Sequence, residues 1–151
     1  MNVGQLMNCT VRTCRLDDTL RGAAEIMSKG ACGSLPVVGG DGRIVAIVTD
    51  RDLCMAACRD ALPVETTPVS KVACYQPVTI RENASAMEAE QLMRNHHVRR
   101  LPVVDGESRP LGLLSLYDLA RHAYWAGSHG DQLTTENVVT TEIAVGHRSD
   151  R

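Results

Sequence analysis

The sequence predicts an α/β fold made of two copies of one β-α-β-β-α unit, and three observations support that prediction. Residues 3–53 align without a gap on residues 69–119, at an offset that carries Pro36 onto Pro102 (102 − 36 = 66). Within each copy, short β-rich runs alternate with longer stretches whose apolar residues recur at helical spacing. Turns rich in Gly and Asp join two of these runs. Because a repeat of this length is one structural unit, we expect small sheets packed against helices and copies related by a pseudo-twofold axis.

The first half of each copy is predicted to contain a strand and a helix. A short opening segment precedes an extended stretch, at 3–7 and 11–14 in the first copy and at 69–73 and 78–81 in the second. N-cap candidates come next, Asp17-Asp18-Thr19 and Asn83-Ala84-Ser85, because these side chains accept hydrogen bonds from first-turn amides. In the first copy Leu20, Ala23, Ala24 and Met27 then share one helical face.

The second half of each copy is predicted to be a hairpin followed by a helix. The paired strands are 35–38 with 44–48 in the first copy and 101–104 with 111–114 in the second. Turns with Gly and Asp separate them. The second helix begins near Thr49 in the first copy and near Ser115 in the second. The Gly39-Gly40-Asp41-Gly42 run is a turn, because it joins two strands and no Lys-Ser or Lys-Thr follows it.

Domain boundaries follow the repeat. We expect a first domain over 1–60, a proline-bearing linker over 61–68, a second domain over 69–125 and a C-terminal tail over 126–151. The tail is polar apart from the apolar patches Val138-Val139 and 143–145. The sequence leaves two alternatives open for the conformation of this tail, partial disorder or packing against a neighbour.

Composition restricts the class of protein. With no Phe, one Trp and three Tyr, the core must be aliphatic. A net charge of −2 and the lack of a stacking platform argue against nucleic-acid binding. No stretch is long and apolar enough for a membrane span and no export signal is visible, so we expect a cytoplasmic protein without a membrane partner. We interpret the six cysteines as small buried apolar residues, with zinc binding or redox sensing as the alternative and Cys54 or Cys58 as the candidates for a thiol sensor.

The candidate functional motif is Thr49-Asp50-Arg51-Asp52, repeated as Ser115-Leu116-Tyr117-Asp118. Both lie where a strand ends and a helix begins, and unpaired amides at a helix N-terminus suit a phosphate. The hydroxyl adds a hydrogen bond, and a carboxylate one turn later can accept from both ribose hydroxyls. The alternative is a capping box, in which the carboxylate reaches back to the cap amide.

This ordered set of motifs, found twice at one offset, resembles the cystathionine-β-synthase (CBS) domain, and the tandem copy resembles a CBS pair or Bateman module. The resemblance covers residues 3–124. It rests on the Leu-Pro-Val-Val strand and on the aliphatic strand that ends in Thr/Ser-x-x-Asp. It implies a regulatory module that binds AMP, ADP, ATP, NAD or S-adenosylmethionine in the cleft between copies and forms a homodimer. No cofactor is required for such a role.

The resemblance also implies ligand-binding residues. Thr49 and Asp52 match the family's ribose-binding pair, with Ser115 and Asp118 as their counterparts. Arg51, Arg99 and Arg100 match positions that can contact a ligand phosphate, and they could converge in the cleft; the alternative is solvated surface arginines. Thr13 and Thr79, at the ends of the first strands, are expected near the adenine; the alternative is an ordinary strand threonine. The copies differ, since Ala46 replaces the glycine found at Gly112, so we expect unequal sites.

Three functions compete. The first is a sensor that binds an adenine nucleotide and transmits that signal to a regulated protein, whose identity the sequence does not reveal. The second is a ligand-independent dimerisation or adaptor module formed by the helices rich in small apolar residues. The third is an enzyme, which we reject because no catalytic constellation can be assembled. We assign neither catalytic nor metal-binding residues.

Overall fold

The computed structural model describes residues 1–126 and 133–146, which form two compact units. The first-repeat unit contains Val11–Pro77 and Glu107–Pro110. The second-repeat unit contains Met1–Thr10, Val78–Gly106 and the described residues from Leu111 onward. In chain order the elements are α1 (Val3–Leu6), β1 (Cys14–Arg15), α2 (Leu20–Gly30), β2 (Ser34–Val38), β3 (Ile44–Thr49), α3 (Asp50–Cys58), a 3₁₀ helix (Val69–Lys71), β4 (Cys74–Tyr75), β5 (Ile80–Arg81), α4 (Ala86–His96), β6 (Arg100–Val104), β7 (Pro110–Ser115), α5 (Leu116–Ala126) and α6 (Thr135–Gly146).

The first-repeat unit has a sheet in the order β1-β2-β3-β4. β1 runs parallel to β2, whereas β2 and β3 form an antiparallel hairpin in which Ser34 pairs with Thr49. The turn at residues 39–42 closes this hairpin, as predicted. The core of the first-repeat unit contains Leu20, Met27, Leu35, Val37, Val48 and Leu53. Because the β2–β3 register places Thr49 at the end of its strand, the hairpin fixes where α3 begins.

The second-repeat unit repeats this plan with a sheet in the order β5-β6-β7. β5 runs parallel to β6, with Ile80 opposite Val103. The core contains Val3, Met93, Leu101, Val103, Leu114 and Leu119. The predicted mixed α/β class with small sheets packed against helices is therefore confirmed. The predicted extended stretches are shorter in the structure, since only two residues of each form strand pairs.

The opening segment of each copy joins the unit built from the other copy. Two pairs of backbone hydrogen bonds establish this: Val3 N to Ala84 O (2.8 Å) and Gly4 N to Glu82 O (2.8 Å), then Val69 N to Asp18 O (2.8 Å) and Ser70 N to Leu16 O (3.0 Å). Between the two pairs each donor moves 66 positions forward and each acceptor moves 66 positions back, so the exchange of opening segments is reciprocal. The predicted boundaries describe the repeats along the sequence, and the compact units divide the chain differently.

The helices begin at the predicted caps. The Thr19 hydroxyl accepts a hydrogen bond from the Gly22 amide at 3.1 Å. The Ser85 hydroxyl accepts from the Glu88 amide at 3.1 Å, and Glu88 in turn accepts from the Ser85 amide at 2.7 Å. These bonds hold the pKa of Glu88 below its ordinary value, mainly through the Ser85 backbone amide and then through its hydroxyl. The second copy therefore has a complete capping box where the first has glycine at position 22.

Both cores are aliphatic, as predicted, and the aromatic residues lie outside them. Tyr117 and Tyr124 are each 73% exposed and Trp125 is 75% exposed, all three on α5. Tyr75 on β4 is also exposed. The interpretation of the cysteines as buried residues is wrong for four of the six: Cys9, Cys54, Cys58 and Cys74 are exposed. Cys14 is buried, which raises the pKa of its thiol to about 12, with a smaller contribution from Asp18.

The C-terminal tail contains a helix that the sequence analysis did not predict. α6 packs against α4 and α5 within the second-repeat unit and buries Val138, Thr141 and Val145 at helical spacing. The apolar patches are therefore split, because Val139 and Ile143 are exposed. Residues 127–132 and 147–151 of the predicted tail lie outside the described residues. No helix in the described part of the chain is long and apolar enough to cross a membrane.

Candidate functional site

The first strand-to-helix junction is closed by Thr49 and Asp52. The Thr49 amide and hydroxyl both donate to Asp52 Oδ2, at 2.8 and 2.7 Å. The Asp52 amide donates back to Thr49 Oγ1 at 3.2 Å. This is the capping box that the sequence left as an alternative, and it uses one oxygen of the carboxylate. Oδ1 of Asp52 lies outside the box and is the oxygen that a ribose hydroxyl could use without opening the cap.

The first-turn amides of α3 are bonded, contrary to the expectation of unpaired donors. The Asp50 amide donates to Gly33 O at 3.1 Å, and the Arg51 amide donates to Asp50 Oδ1 at 2.8 Å. With Asp52 N capped by Thr49, each of the first three amides has a partner. An anion at this helix terminus must therefore displace a side chain, and it would also face the negative charges of Asp50 and Asp52.

The second junction has the same box and fewer carboxylates. The Ser115 amide and hydroxyl donate to Asp118 Oδ2 at 2.9 and 2.5 Å, and the Asp118 amide donates to Ser115 Oγ at 3.2 Å. Leu116 stands where the first copy has Asp50, so residue 116 supplies no side-chain acceptor to the following amide. With Arg51 counted, the first turns of α3 and α5 each carry a net charge of −1. Arg121 Nη2 lies 3.8 Å from Asp118 Oδ1, so the N-terminus of α5 is the less negative of the two, which favours an anionic group there.

Arg99 lies beside the second junction through its backbone. The Leu116 amide donates to Arg99 O at 2.9 Å, which brings Arg99 to the first turn of α5. Its guanidinium is paired with Glu142 of α6, with Nη2 2.7 Å from Oε1 and Nε 3.3 Å from Oε2. Arg100 begins β6 and is half-buried. The structure thus brings Ser115, Asp118 and the backbone of Arg99 together at one helix terminus, while the Arg99 guanidinium is paired with α6.

Thr13 and Thr79 are not brought into the capping boxes. Thr13 precedes β1, and β2 lies between β1 and the strand that ends at Thr49. Thr79 precedes β5, which β6 separates from the strand that ends at Ser115. Two strand spacings, about 9–10 Å, therefore separate each threonine's strand from the strand that ends at the box. A ligand must span that width to contact both.

The cationic candidates are divided between the units. Arg51 is exposed on the first turn of α3 in the first-repeat unit, whereas Arg99 and Arg100 belong to the second-repeat unit. Their convergence stays a prediction. Among residues 1–126 and 133–146, no group of three or more His, Cys, Asp or Glu side chains is arranged to hold a metal ion.

The structure gives a packing reason for glycine at position 112, which the sequence did not reveal. A Cβ built on it would stand 2.8 Å from Asn8 O and 2.6 Å from Met7 Sδ. Asn8 and Leu113 exchange backbone hydrogen bonds of 2.9 and 3.0 Å, so the opening segment runs directly over this glycine. Ala46, the counterpart, is fully buried beside β4. Gly112 therefore has a packing reason in the segment that contains Met7 and Asn8, whereas the Ala46 methyl group is accommodated beside β4.

A buried polar network anchors α6, and sequence reasoning did not identify it. Glu90 on α4 is 1% exposed and accepts hydrogen bonds from Arg94 and from the hydroxyl of Thr141 on α6. Arg94 Nε also donates to Thr141 Oγ1 at 3.1 Å. The one available signal was the spacing of Val138, Thr141 and Val145, which would have placed Thr141 on the apolar face of a helix.

A family model for the CBS domain matches the chain twice, over residues 3–58 and 69–124. A CBS domain-containing protein of Dictyostelium discoideum is 36% identical over 126 residues, which cover 78% of this chain and 87% of that protein. The CBS domain-containing protein YhcV of Bacillus subtilis is 35% identical, covering 88% of this chain and 93% of its own length. These relatives are matched over most of their length by the repeats themselves.

Solved structures show the same fold. Hypoxic Response Protein I, solved with two coordinated zinc ions, has a TM-score of 0.72 and 31% identity, covering 81% of this chain and 98% of that chain. A CBS domain pair in complex with 5′-methylthioadenosine and S-adenosyl-L-methionine has a TM-score of 0.75 and 21% identity over 85% of this chain and 98% of that chain. CBSX2 in complex with AMP has a TM-score of 0.71 and 22% identity over 83% and 98%. The duplicated junction, the repeated fold and the tandem matches together show that the chain belongs to the CBS domain family, as a tandem CBS pair.

Proposed function

We propose that this chain is a regulatory module that binds an adenosine-containing nucleotide at its strand-to-helix junctions and passes that signal to another protein. The observation that carries the proposal is the duplicated Thr/Ser-x-x-Asp box, in which one carboxylate oxygen is used by the cap and the other lies outside it. A carboxylate held in this way is preorganised to accept hydrogen bonds from a ribose.

The comparisons support this class of ligand. Two solved CBS pairs of the same fold hold AMP or the adenosine derivatives S-adenosylmethionine and 5′-methylthioadenosine. In this chain, Asp52 and Asp118 are the proposed ribose-binding residues, while Thr49 and Ser115 position them. Arg51, Arg99 and Arg100 are the proposed phosphate-contacting residues. Thr13 and Thr79 are the proposed adenine-side residues.

The two junctions are not equivalent in this proposal. The first carries two carboxylates in the first turn of its helix, Asp50 and Asp52, against Asp118 alone in the second. The second also has Arg99 at its helix terminus. We infer that a phosphate-bearing ligand binds the second junction more tightly than the first, because its charge meets less repulsion there.

A ligand-independent interaction module is the second candidate, and one observation favours it. Tyr117, Tyr124 and Trp125 present large exposed aromatic surfaces on one helix, and Tyr and Trp are enriched in protein interfaces. In such a module the Thr/Ser-x-x-Asp boxes would serve as helix caps alone. Assembly with another chain would then be independent of nucleotide.

Isothermal titration calorimetry of the full chain with AMP, ADP, ATP, NAD and S-adenosylmethionine distinguishes the nucleotide-binding module from the interaction module. Asp52→Asn and Asp118→Asn keep a side-chain oxygen for the cap and remove the charge, so each tests one junction with little change in stability. We expect the variant of the occupied junction to lose about tenfold in affinity. No binding to the folded, nucleotide-free protein would favour the interaction module, and unchanged affinity in both variants would remove these aspartates from the site.

A further inference from the structure

The Arg99 guanidinium is engaged by a carboxylate of its own chain. Its Nη2 and Nε atoms face the two oxygens of Glu142, at 2.7 and 3.3 Å. This is the two-pronged geometry with which arginine binds either a carboxylate or a phosphate. One edge of the guanidinium is therefore occupied by a carboxylate of the same chain.

The end of α6 adds to this engagement. Gly146, the last residue of α6, lies close to Arg99, since a Cβ placed on it would stand 3.9 Å from Nη2. His97 Nδ1 lies 3.0 Å from Ala144 O in the same last turn. Because the C-terminus of a helix carries partial negative charge, it stabilises a cation at this position. Arg99 is thus held by both a carboxylate and a helix terminus.

α6 does not depend on Glu142 for its position. Thr141 is fully buried and bonded to Glu90, and Val138 and Val145 are buried on the same face. The Arg99–Glu142 pair itself is half-exposed, with 53% of each side chain accessible. Removing the charge of Glu142 should therefore leave the helix in place, and the pair can open without unfolding its surroundings.

We propose that Glu142 sets the affinity of the second junction for phosphate-bearing ligands by competing with the ligand phosphate for the Arg99 guanidinium. The inference rests on the proposed function, because Arg99 must contact the ligand phosphate. A phosphate that takes the bidentate edge of Arg99 must first displace the Glu142 carboxylate. The ligand then gains only the difference between the two interactions. Adenosine has no phosphate, and its affinity does not depend on Glu142.

The test compares AMP with adenosine on three full-length proteins: the wild type, Glu142→Gln and the control Glu136→Gln. Glu136 is an exposed carboxylate in the first turn of the same helix, so the control removes an equal charge away from Arg99. An exposed ion pair of this kind is weak, so Glu142→Gln is expected to tighten AMP binding by about threefold. Its adenosine affinity, and both affinities of the control, should stay within error of the wild type.

Three results would overturn the inference, and they are distinguishable. Equal AMP affinity in the wild type and Glu142→Gln, with binding intact, refutes the competition and leaves the proposed function standing. Equal gains for AMP and adenosine assign the effect to loosening of α6 rather than to the phosphate. Absence of AMP binding in all three proteins rejects this inference together with nucleotide phosphate recognition at Arg99. Hydrogen exchange over 135–146 confirms that α6 remains docked in each variant.

Discussion

The first-repeat and second-repeat units begin from one duplicated sequence and keep the same strand-to-helix junction, yet their helical faces differ. At the junctions, three hydrogen bonds match to within 0.2 Å: Thr49 or Ser115 amide to carboxylate (2.8 and 2.9 Å), their hydroxyl to carboxylate (2.7 and 2.5 Å), and aspartate amide to hydroxyl (3.2 Å in both). Over α4 and α5, in contrast, α6 covers a surface whose first-copy counterpart, Ala24 on α2, is exposed. The two copies therefore share the strand-to-helix junction, whose hydrogen bonds join residues three positions apart. They differ on the helical surface that α6 covers in the second-repeat unit.

The position of Ala24 and Glu90 illustrates the difference. In the first copy the alanine faces solvent, so its side chain has no structural demand to meet. In the second copy the glutamate is buried beneath α6 and bonded to Arg94 and Thr141. A buried carboxylate persists only with such partners, because an unpaired buried charge is strongly destabilising. The identity of residue 90 therefore follows from the C-terminal helix.

The largest expected effect on stability comes from breaking the buried hydrogen-bond network of Glu90, Arg94 and Thr141. Glu90→Ala should lower the free energy of unfolding of the second-repeat unit by about 2–4 kcal/mol, because it leaves a cavity and removes the acceptor of Thr141. Urea denaturation followed by circular dichroism measures the loss, and hydrogen exchange over 135–146 locates it. The reciprocal change Ala24→Glu, at an exposed position, is expected to be nearly neutral. A loss of less than about 0.5 kcal/mol for Glu90→Ala would contradict the anchoring role of the network.

The next effect concerns Gly112 and Ala46. Gly112→Ala should cost about 1–3 kcal/mol, because the new methyl group meets the backbone oxygen of Asn8, which cannot move aside as a side chain could. Thermal unfolding of the full chain provides the measurement. Gly106→Ala is the matched control, since no atom lies within 4 Å of the Cβ it would add. Equal stability of the two variants would show that the opening segment can shift away from Gly112.

The smallest expected effect comes from a difference between the N-terminal caps of α2 and α4. The bonds from Ser85 hold the pKa of Glu88 below its ordinary value of 4.5, whereas Gly22 offers no carboxylate at the equivalent position. A carboxyl with a lowered folded-state pKa stabilises the fold above its unfolded pKa, and that contribution is lost as the pH falls through the folded value. The wild type should therefore be slightly more stable than Glu88→Gln at neutral pH, and the gap in melting temperature should close below pH 4.5. A gap that widens on acidification would contradict this assignment.

Much of the fold was accessible from the sequence because its signals are local. The caps at Thr19 and Ser85, the hairpin turn at 39–42 and the starts of α3 and α5 depend on residues a few positions apart. The constant offset of 66 then extended each local assignment to the other copy. The cap-forming half of the candidate site was equally readable, since Thr49 and Asp52 lie one helical turn apart.

The remaining features depend on contacts that are distant in sequence. The exchange of opening segments joins Val3 to Ala84, and the α6 interface joins Arg99 to Glu142. Local patterns carry no information on such partners, so the sequence leaves two alternatives for the tail and relates the difference between Gly112 and Ala46 only to unequal ligand sites. The exposed cysteines were misjudged for the same reason, because burial is a property of the packed unit rather than of the residue type.

The sequence by itself determined the repeated α/β unit, its aliphatic core, its family and the two capped junctions, since each rests on composition, periodicity or short-range hydrogen bonding. The tertiary structure decided which segment completes each unit and which carboxylate engages Arg99. These outcomes depend on the packing of segments more than 40 residues apart, such as Arg94 with Thr141 (|i−j| = 47). The free energy of such contacts belongs to the assembled core, so no single stretch of chain encodes it.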